Sequence, residues 1–199
     1  MNNTGIIILA AGSSSRFGGI KQLLRFNNKT LIEHVIDEAT NAELNPVVVV
    51  TGAYANEVSK KIDNKKITIV FNEHWETGMA SGIVAGLQKA LIVNKAIENI
   101  IIAVCDQPYI SSLLFQQLSD KKRESGKSIV ASSYAGTLGT PALFDTKYFN
   151  ELLDLKGDEG AKSLIRKYND ETTSVLFKKG NIDVDTQKDY EELLKTSNR

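Results

Sequence analysis

The sequence predicts an α/β fold: a mostly parallel sheet covered by helices on both faces, with a small antiparallel part added towards the C-terminus. Three observations carry this. Four short runs, Ile6-Ile7-Ile8-Leu9, Val47–Thr51, Ile67–Phe71 and Ile100–Val104, are apolar, rich in β-branched residues and largely without polar alternation. Such runs mark strands buried on both faces. The stretches between them have helical periodicity, and strands alternating with helices argue for a parallel sheet. Residues 128–185 are less regular and carry shorter apolar runs.

The elements follow in order. Ile6–Leu9 is the first strand, and a Gly/Ser loop runs from Gly12 to Gly19. Thr30-Leu31-Ile32-Glu33 has the form of a capping box and starts a helix whose face is Leu31, Ile32, Val35, Ile36 and Ala39. Val47–Thr51 is the second strand, and Tyr54, Val58 and Ile62 mark a second helix. Ile67–Phe71 is the third strand, and Ala80, Ile83, Val84, Leu87 and Leu91 form the strongest helical stripe. After the Ile100–Val104 strand, Ser111 or Ser112 caps the next helix. Further strands are predicted near Ile129–Ser132, Ala142–Phe144 and Ser174–Phe177, and helices over 146–154, 160–168 and 187–195. In such sheets ligands bind beyond the carboxyl ends of the strands, so the loops that matter start at Ala10, Thr51, Phe71 and Cys105.

Composition narrows the function classes. The chain has 199 residues, the size of one domain, so a single domain over 1–199 is expected. Basic and acidic side chains number 24 each, which gives no bulk field to capture nucleic acid or an anionic membrane. Any bound anion must be held by a local site. The one cysteine, Cys105, allows neither an internal disulfide nor a cysteine zinc cluster, and fits a reducing cytoplasm. Met1-Asn2-Asn3-Thr4-Gly5 lacks the basic start of a signal peptide, and no apolar run approaches membrane-spanning length. Neither nucleic acid nor membrane is therefore an expected partner.

Leu9-Ala10-Ala11-Gly12-Ser13-Ser14-Ser15-Arg16-Phe17-Gly18-Gly19-Ile20-Lys21 is the first segment able to carry chemistry. It leaves a buried strand, turns through small residues and places two cations five apart. Small residues let backbone N–H groups approach an anion, and Arg16 and Lys21 can neutralise it. No Gly-Lys-Ser/Thr ends the loop, and it does not contain GxGxxG. By composition alone it is equally a surface loop with two solvated cations. Asp106 follows the Ile100–Val104 strand, where a carboxylate can hold Mg²⁺; Asp before Gln-Pro is also a turn starter. Asn72–Gly82 leads from the third strand into the strongest helix, where Ser81 could meet a ribose or base, or simply cap. One of Asp183 and Asp185 could serve only to cap the last helix. His34 is a boundary residue, His74 has no partner histidine for a metal, and Cys105 is a small buried filler.

Leu9-Ala10-Ala11-Gly12, Arg16, Gly18-Gly19 and Lys21 resemble the signature of nucleotidyltransferases that move a nucleoside monophosphate from an NTP. Asn72-Glu73-His74-Trp75 with Gly78-Met79-Ala80-Ser81, Asp106-Gln107-Pro108, the 157–162 segment Gly-Asp-Glu-Gly-Ala-Lys, and Asp183-Val184-Asp185-Thr186 narrow it. Together they resemble the molybdenum cofactor cytidylyltransferase branch over about residues 5–194. Phe17, Gly82, Cys105, Thr140 and Gln187 depart from the branch's usual residues. The resemblance implies a Rossmann-like three-layer nucleotidyltransferase fold. It implies Mg²⁺-dependent transfer of CMP from CTP to the terminal phosphate of a phosphorylated pterin cofactor, with a molybdoenzyme as eventual acceptor. It puts Gly12 and Ser13 around the phosphates, Arg16 on the β/γ-phosphates, and Lys21 near the α-phosphate. It puts Ala10, Ala11, Asn72 and Ser81 at the nucleoside, and Asp106 with Asp185 on the metal, Asp183 being the weaker candidate. The alternatives are use of GTP, another phosphorylated acceptor, or a non-catalytic accessory delivering cofactor to a molybdoenzyme. A guanylyltransferase would carry Gly-Gly at Ala10-Ala11. Pyrophosphate release separates the enzyme from the accessory.

Overall fold

The computed structural model describes residues 3–62 and 66–197, so the reading of Met1-Asn2 lies outside the described residues. In chain order the elements are β1 (Thr4–Ala10), β2 (Arg25–Phe26), β3 (Lys29–Thr30), α1 (Leu31–Asn41), β4 (Val47–Thr51), α2 (Ala55–Ser59), β5 (Ile67–Phe71) and α3 (Met79–Val93). Then come β6 (Asn99–Val104), α4 (Ser112–Ser125), β7 (Ile129–Tyr134), β8 (Thr137–Asp145), α5 (Phe149–Leu153), α6 (Ala161–Lys167), β9 (Thr172–Leu176) and α7 (Gln187–Ser197). Seven strands form one sheet in the order β5-β4-β1-β6-β8-β7-β9. β5, β4, β1 and β6 run parallel, β8 is antiparallel to both its neighbours, and β9 is parallel to β7.

Side-chain alternation explains the continuous apolar runs. Ile6, Ile8, Val47, Val49, Ile101 and Ala103 face one core with Ile32, Val35 and Ile36 of α1 and Leu114, Phe115 and Leu118 of α4. Ile7, Val48, Val50, Ile100 and Ile102 face the other, against Ile83, Leu87 and Ala90 of α3 and residues of α5 and α6. With both faces of a strand buried, every position must be apolar. The α3 layer packs closely: a Cβ on Gly86 would stand 2.5 Å from Cγ2 of Ile7 and 2.9 Å from Cγ2 of Val50.

The capping box forms as expected, with the Thr30 hydroxyl accepting from the Glu33 amide and the Glu33 carboxylate accepting from the Thr30 amide. Ser111, not Ser112, caps α4. A two-stranded hairpin, β2–β3, adds to the predicted elements. Its central residues Asn27 and Asn28 have φ of 49° and 67°, the left-handed pair that a tight hairpin turn requires and asparagine tolerates.

The strand order fixes the place of a ligand. After β1 the chain moves outward through β4 and β5, then returns to β6 on the other side of β1. The loops leaving β1 and β6 therefore stand side by side at the carboxyl ends of neighbouring parallel strands, the end at which ligands bind in such sheets. Among the described residues no helix is long and apolar enough to cross a membrane.

Candidate nucleotide-transfer site

The loop that leaves β1 is held by its neighbours. The carbonyl of Ser14 accepts from the amides of Phe17 (2.9 Å) and Gly18 (3.1 Å), which turns the chain back. Phe17 is buried with Phe26, Leu31, Val184 and Leu193 and anchors the loop beneath α7. Gly52, at the end of β4, lies so close that a Cβ would meet the Ala11 carbonyl at 2.6 Å. Gln22 was not anticipated. Its side chain is 2% exposed, and its amide nitrogen donates to the carbonyls of Ala10 (3.0 Å) and Gly12 (2.9 Å). One buried amide thus sets the path of the loop's small residues.

Asp106 is the second residue of the loop after β6, and its carbonyl accepts from the Val184 amide at 3.0 Å. That bond lays the 182–185 segment beside the end of β6. The capping role falls to Thr186 and Asp189: the Thr186 amide donates to Asp189 Oδ2 at 2.7 Å, and the Asp189 amide to Thr186 Oγ1 at 3.3 Å. Asp185 is left to face the crevice. Lys21 Nζ then lies 2.8 Å from Asp106 Oδ2 and 2.8 Å from Asp185 Oδ1, while Arg16 reaches Asp185 Oδ2 at 3.1 Å. Residues 16, 21, 106 and 185 are thus one cluster.

Electrostatics follow from this arrangement. Burial pulls the Lys21 pKa down, but Asp106 and Asp185 outweigh it, so the ammonium is held well above its ordinary value. Partial burial pushes the Asp183 carboxyl up, and the charges of Asp106 and Asp185 push the same way. Asp183 does not line the crevice; Asp185 does. Burial, aided by the Asp106 charge, pushes the Cys105 thiol up to about 12, in keeping with a filler.

The crevice encloses about 440 Å³. One wall is the chain from Leu9 to Arg16 with Lys21 and Gln22; another is Asn72, Trp75, Gly78, Met79 and Gly82; Val104–Asp106, Asp158 and Asp185 close it. That volume suits a nucleotide-sized ligand. Gly78 has φ of 111° and starts α3, where the Ala80 amide donates to the Gly157 carbonyl at 3.1 Å. A Cβ on Gly78 would meet that carbonyl at 2.4 Å, so the 157–160 loop docks only on glycine.

Of the residues expected at a nucleoside, Ala10, Ala11 and Asn72 line the crevice and Ser81 does not. The Ser81 hydroxyl donates towards the carbonyls of His74 and Gly78 (both 2.9 Å) and accepts from Asn72 Nδ2 at 2.8 Å. It braces the turn that presents Asn72 and Trp75. His34 Nε2 bonds the Ile110 carbonyl at 2.9 Å, away from the crevice. Gln107 is 4% exposed and donates to the carbonyls of Gly180 (2.8 Å) and Thr140 (3.3 Å). The Tyr134 hydroxyl approaches Gln107 and Thr140, yet Gln107 Oε1 stays buried without a hydrogen bond of good geometry.

Residues 6–172 match the MobA-like NTP transferase domain. The chain belongs to the MobA-like NTP transferase family. It is a nucleotidyltransferase, as the first glycine-rich segment leads one to expect. It is 30% identical over 168 residues to the nicotine blue oxidoreductase of Paenarthrobacter nicotinovorans, covering 81% of this chain and 80% of the relative. It is 26% identical over 196 residues to the purine catabolism protein PucB of Bacillus subtilis, covering 93% of each. Among solved structures, Rv0371c of Mycobacterium tuberculosis superimposes with a TM-score of 0.80 at 27% identity, covering 96% of this chain and 97% of that one. Rv0371c has also been solved in complex with manganese; against that structure the identity is 24% and the TM-score 0.76, with the same coverage.

Proposed function

We propose that this nucleotidyltransferase transfers CMP from CTP to the terminal phosphate of a molybdopterin-type cofactor, with Mg²⁺ as the ion. The observation that carries the reading is the meeting of Arg16 and Lys21, from the loop after β1, with Asp106 and Asp185 in one crevice. The residues fit a divalent ion. Two carboxylate oxygens converge on a single point, where the Lys21 ammonium stands in for a cation. Mg²⁺ commonly takes one or two protein carboxylates and completes its shell with water and phosphate oxygens. Among the described residues no group of three His, Cys, Asp or Glu side chains forms a fuller cage, which suits an ion shared with a substrate. When bound, the ion would supply charge neutralisation on the triphosphate.

The chain's own residues do the rest by position and charge. The backbone around Gly12 and Ser13 lies along the phosphates, and Arg16 neutralises the β/γ end. An acceptor phosphate oxygen attacks the α-phosphorus; the bond to the β-phosphate oxygen breaks, and pyrophosphate leaves. Lys21 meets the negative charge that builds during this step. A phosphate monoester is nucleophilic near neutral pH, so orientation suffices and no Ser/His or Cys/His pair is needed. The methyls of Ala10 and Ala11 narrow the space beside the base and favour a pyrimidine. That discrimination is worth about 1–3 kcal/mol and is therefore partial.

Pyrophosphate release from each of the four NTPs, with and without a molybdopterin-type acceptor, tests the reading. CTP should be preferred and release should need the acceptor, and Asp106→Asn should abolish it in a folded protein. GTP outperforming CTP in kcat/KM overturns the base assignment. Release with a different phosphorylated acceptor alone overturns the pterin, and no release with any pair points to an accessory binder.

A further inference from the structure

Lys21 does more in this cluster than wait for a phosphate. Its side chain is 15% exposed, and its ammonium fills the gap between carboxylates that are themselves 22% and 28% exposed. Arg16 takes the remaining oxygen of Asp185. Two cations thus cancel two carboxylates. The backbone beneath Lys21 is fixed, because Gln22 is tied to the carbonyls of Ala10 and Gly12. Only the four-carbon stem of Lys21 is free to swing, and a flexible stem is what lysine offers.

We propose that Lys21 is a built-in occupant of the metal site: it keeps a divalent cation out of the empty enzyme and leaves only when the cation arrives with a triphosphate. The proposal rests on the reading that the ion sits between Asp106 and Asp185. Charge decides the order of events. A divalent ion alone must displace or repel an ammonium that sits 2.8 Å from both carboxylates. If it enters, the cluster is left with excess positive charge in a partly desolvated crevice, where such an excess is poorly screened. A triphosphate entering with the ion offers Lys21 and Arg16 new anionic partners, so the displaced ammonium is re-paired. Metal and nucleotide thereby raise each other's affinity, and the coupling is reciprocal. Lys21 carries most of it, since Arg16 has a single contact and is 74% exposed.

Mn²⁺ is the probe, followed as the free ion by electron paramagnetic resonance. It is titrated into wild type, Lys21→Met and Lys21→Gln, each with and without CTP. Removing the ammonium should tighten Mn²⁺ binding to the nucleotide-free protein by about tenfold or more, as expected for two half-buried ion pairs released at once. The enhancement given by CTP should shrink by a similar factor. Arg16→Ala should change both much less. Should the Lys21 variants melt early without metal, Mn²⁺ should raise their Tm more than it raises that of wild type. Equal or weaker Mn²⁺ binding by both Lys21 variants without nucleotide overturns the proposal if Asp106→Asn still abolishes the CTP-dependent binding. Mn²⁺ binding that survives Asp106→Asn and Asp185→Asn, or none to wild type even with CTP, overturns the underlying metal assignment and this proposal with it.

Discussion

Replacing Gln22 tests whether one buried amide holds the loop after β1 in the shape that the proposed function needs. Gln22→Met keeps the length of the side chain and removes the donor that serves the Ala10 and Gly12 carbonyls at 3.0 and 2.9 Å. Each lost bond has a net worth of about 0.5–1.5 kcal/mol, and a carbonyl left dry adds about 1–3 kcal/mol. Since Gly12 lies at the open crevice, its carbonyl can recruit water, and the total should be about 2–4 kcal/mol. For a chain of this size each kcal/mol moves Tm by about 2–4 °C, so a fall of about 5–15 °C is expected. CTP affinity should drop with it, by about tenfold, because the loop no longer pre-forms. Gln22→Glu should be worse, since a carboxylate would oppose two carbonyl oxygens. That carboxyl's folded-state pKa would be raised, so the extra deficit over Gln22→Met should be absent in acid and grow as pH rises above about 4.3. Calorimetric melts between pH 4 and 8 (at constant ionic strength) and CTP titration measure both effects. A Gln22→Glu protein as stable as wild type at pH 7 would refute the hydrogen-bond reading. Lost stability with unchanged CTP affinity would refute the loop-positioning role.

Three further outcomes follow from the packing. Gly86→Ala should destabilise by about 1–3 kcal/mol in urea melts despite alanine's helix propensity, because the new Cβ meets Ile7 and Val50 side chains fully buried in the sheet. Gly82→Ala in the same helix, with its nearest contact at 3.3 Å from Leu9, should cost far less; equal losses would show that close packing is not the cause. Cys105, pushed up to about 12 by burial, should stay unlabelled by a thiol reagent at pH 8 in native protein and react once per chain in denaturant; rapid native labelling contradicts its burial. Burial raises the Asp145 carboxyl, but Lys122 at 2.8 Å and the Lys147 amide outweigh it, so its pKa is lowered. Its contribution, about 1 kcal/mol, should be present above the unfolded value near 3.9 and lost as pH falls through the lower native value. The stability gap to Asp145→Asn should therefore close only in acid, and a gap unchanged down to pH 2 would contradict this.

The parallel half of the sheet was the easiest to read. Val47–Thr51 and Ile67–Phe71 appear as strands with those bounds, since continuous β-branched runs leave little alternative, but only the first is buried on both faces: β5 lies at the sheet edge, half-buried, with Phe71 exposed. β8 was read only over Ala142–Phe144 yet spans Thr137–Asp145, because Gly139 and Pro141 interrupt the apolar run that signals a strand. The direction of β9 was not legible either: whether a strand lies parallel to β7 depends on the path of α5 and α6, not on its own five residues. At the site, the meeting of Arg16, Lys21, Asp106 and Asp185 in one cluster was legible only through the family resemblance of their motifs, since residue type alone left a solvated loop and a turn as equal readings. Gln22 was not, since a lone amide in a loop has no period and its two partners are main-chain carbonyls. The Ser81 hydroxyl has all its contacts within the turn it follows, a detail that depends on how 72–78 folds back.

The bond from Val184 to the Asp106 carbonyl ties the charge cluster to chain that lies outside the sheet. Every strand of the sheet lies before Phe177, whereas Asp185 follows them all. Without Asp185, Lys21 would have one carboxylate partner instead of two, and Arg16 would lose the oxygen it contacts. A chain cut before Ile182 would therefore keep every strand and lose the closure of the cluster, so the sheet and the cluster are separable by truncation.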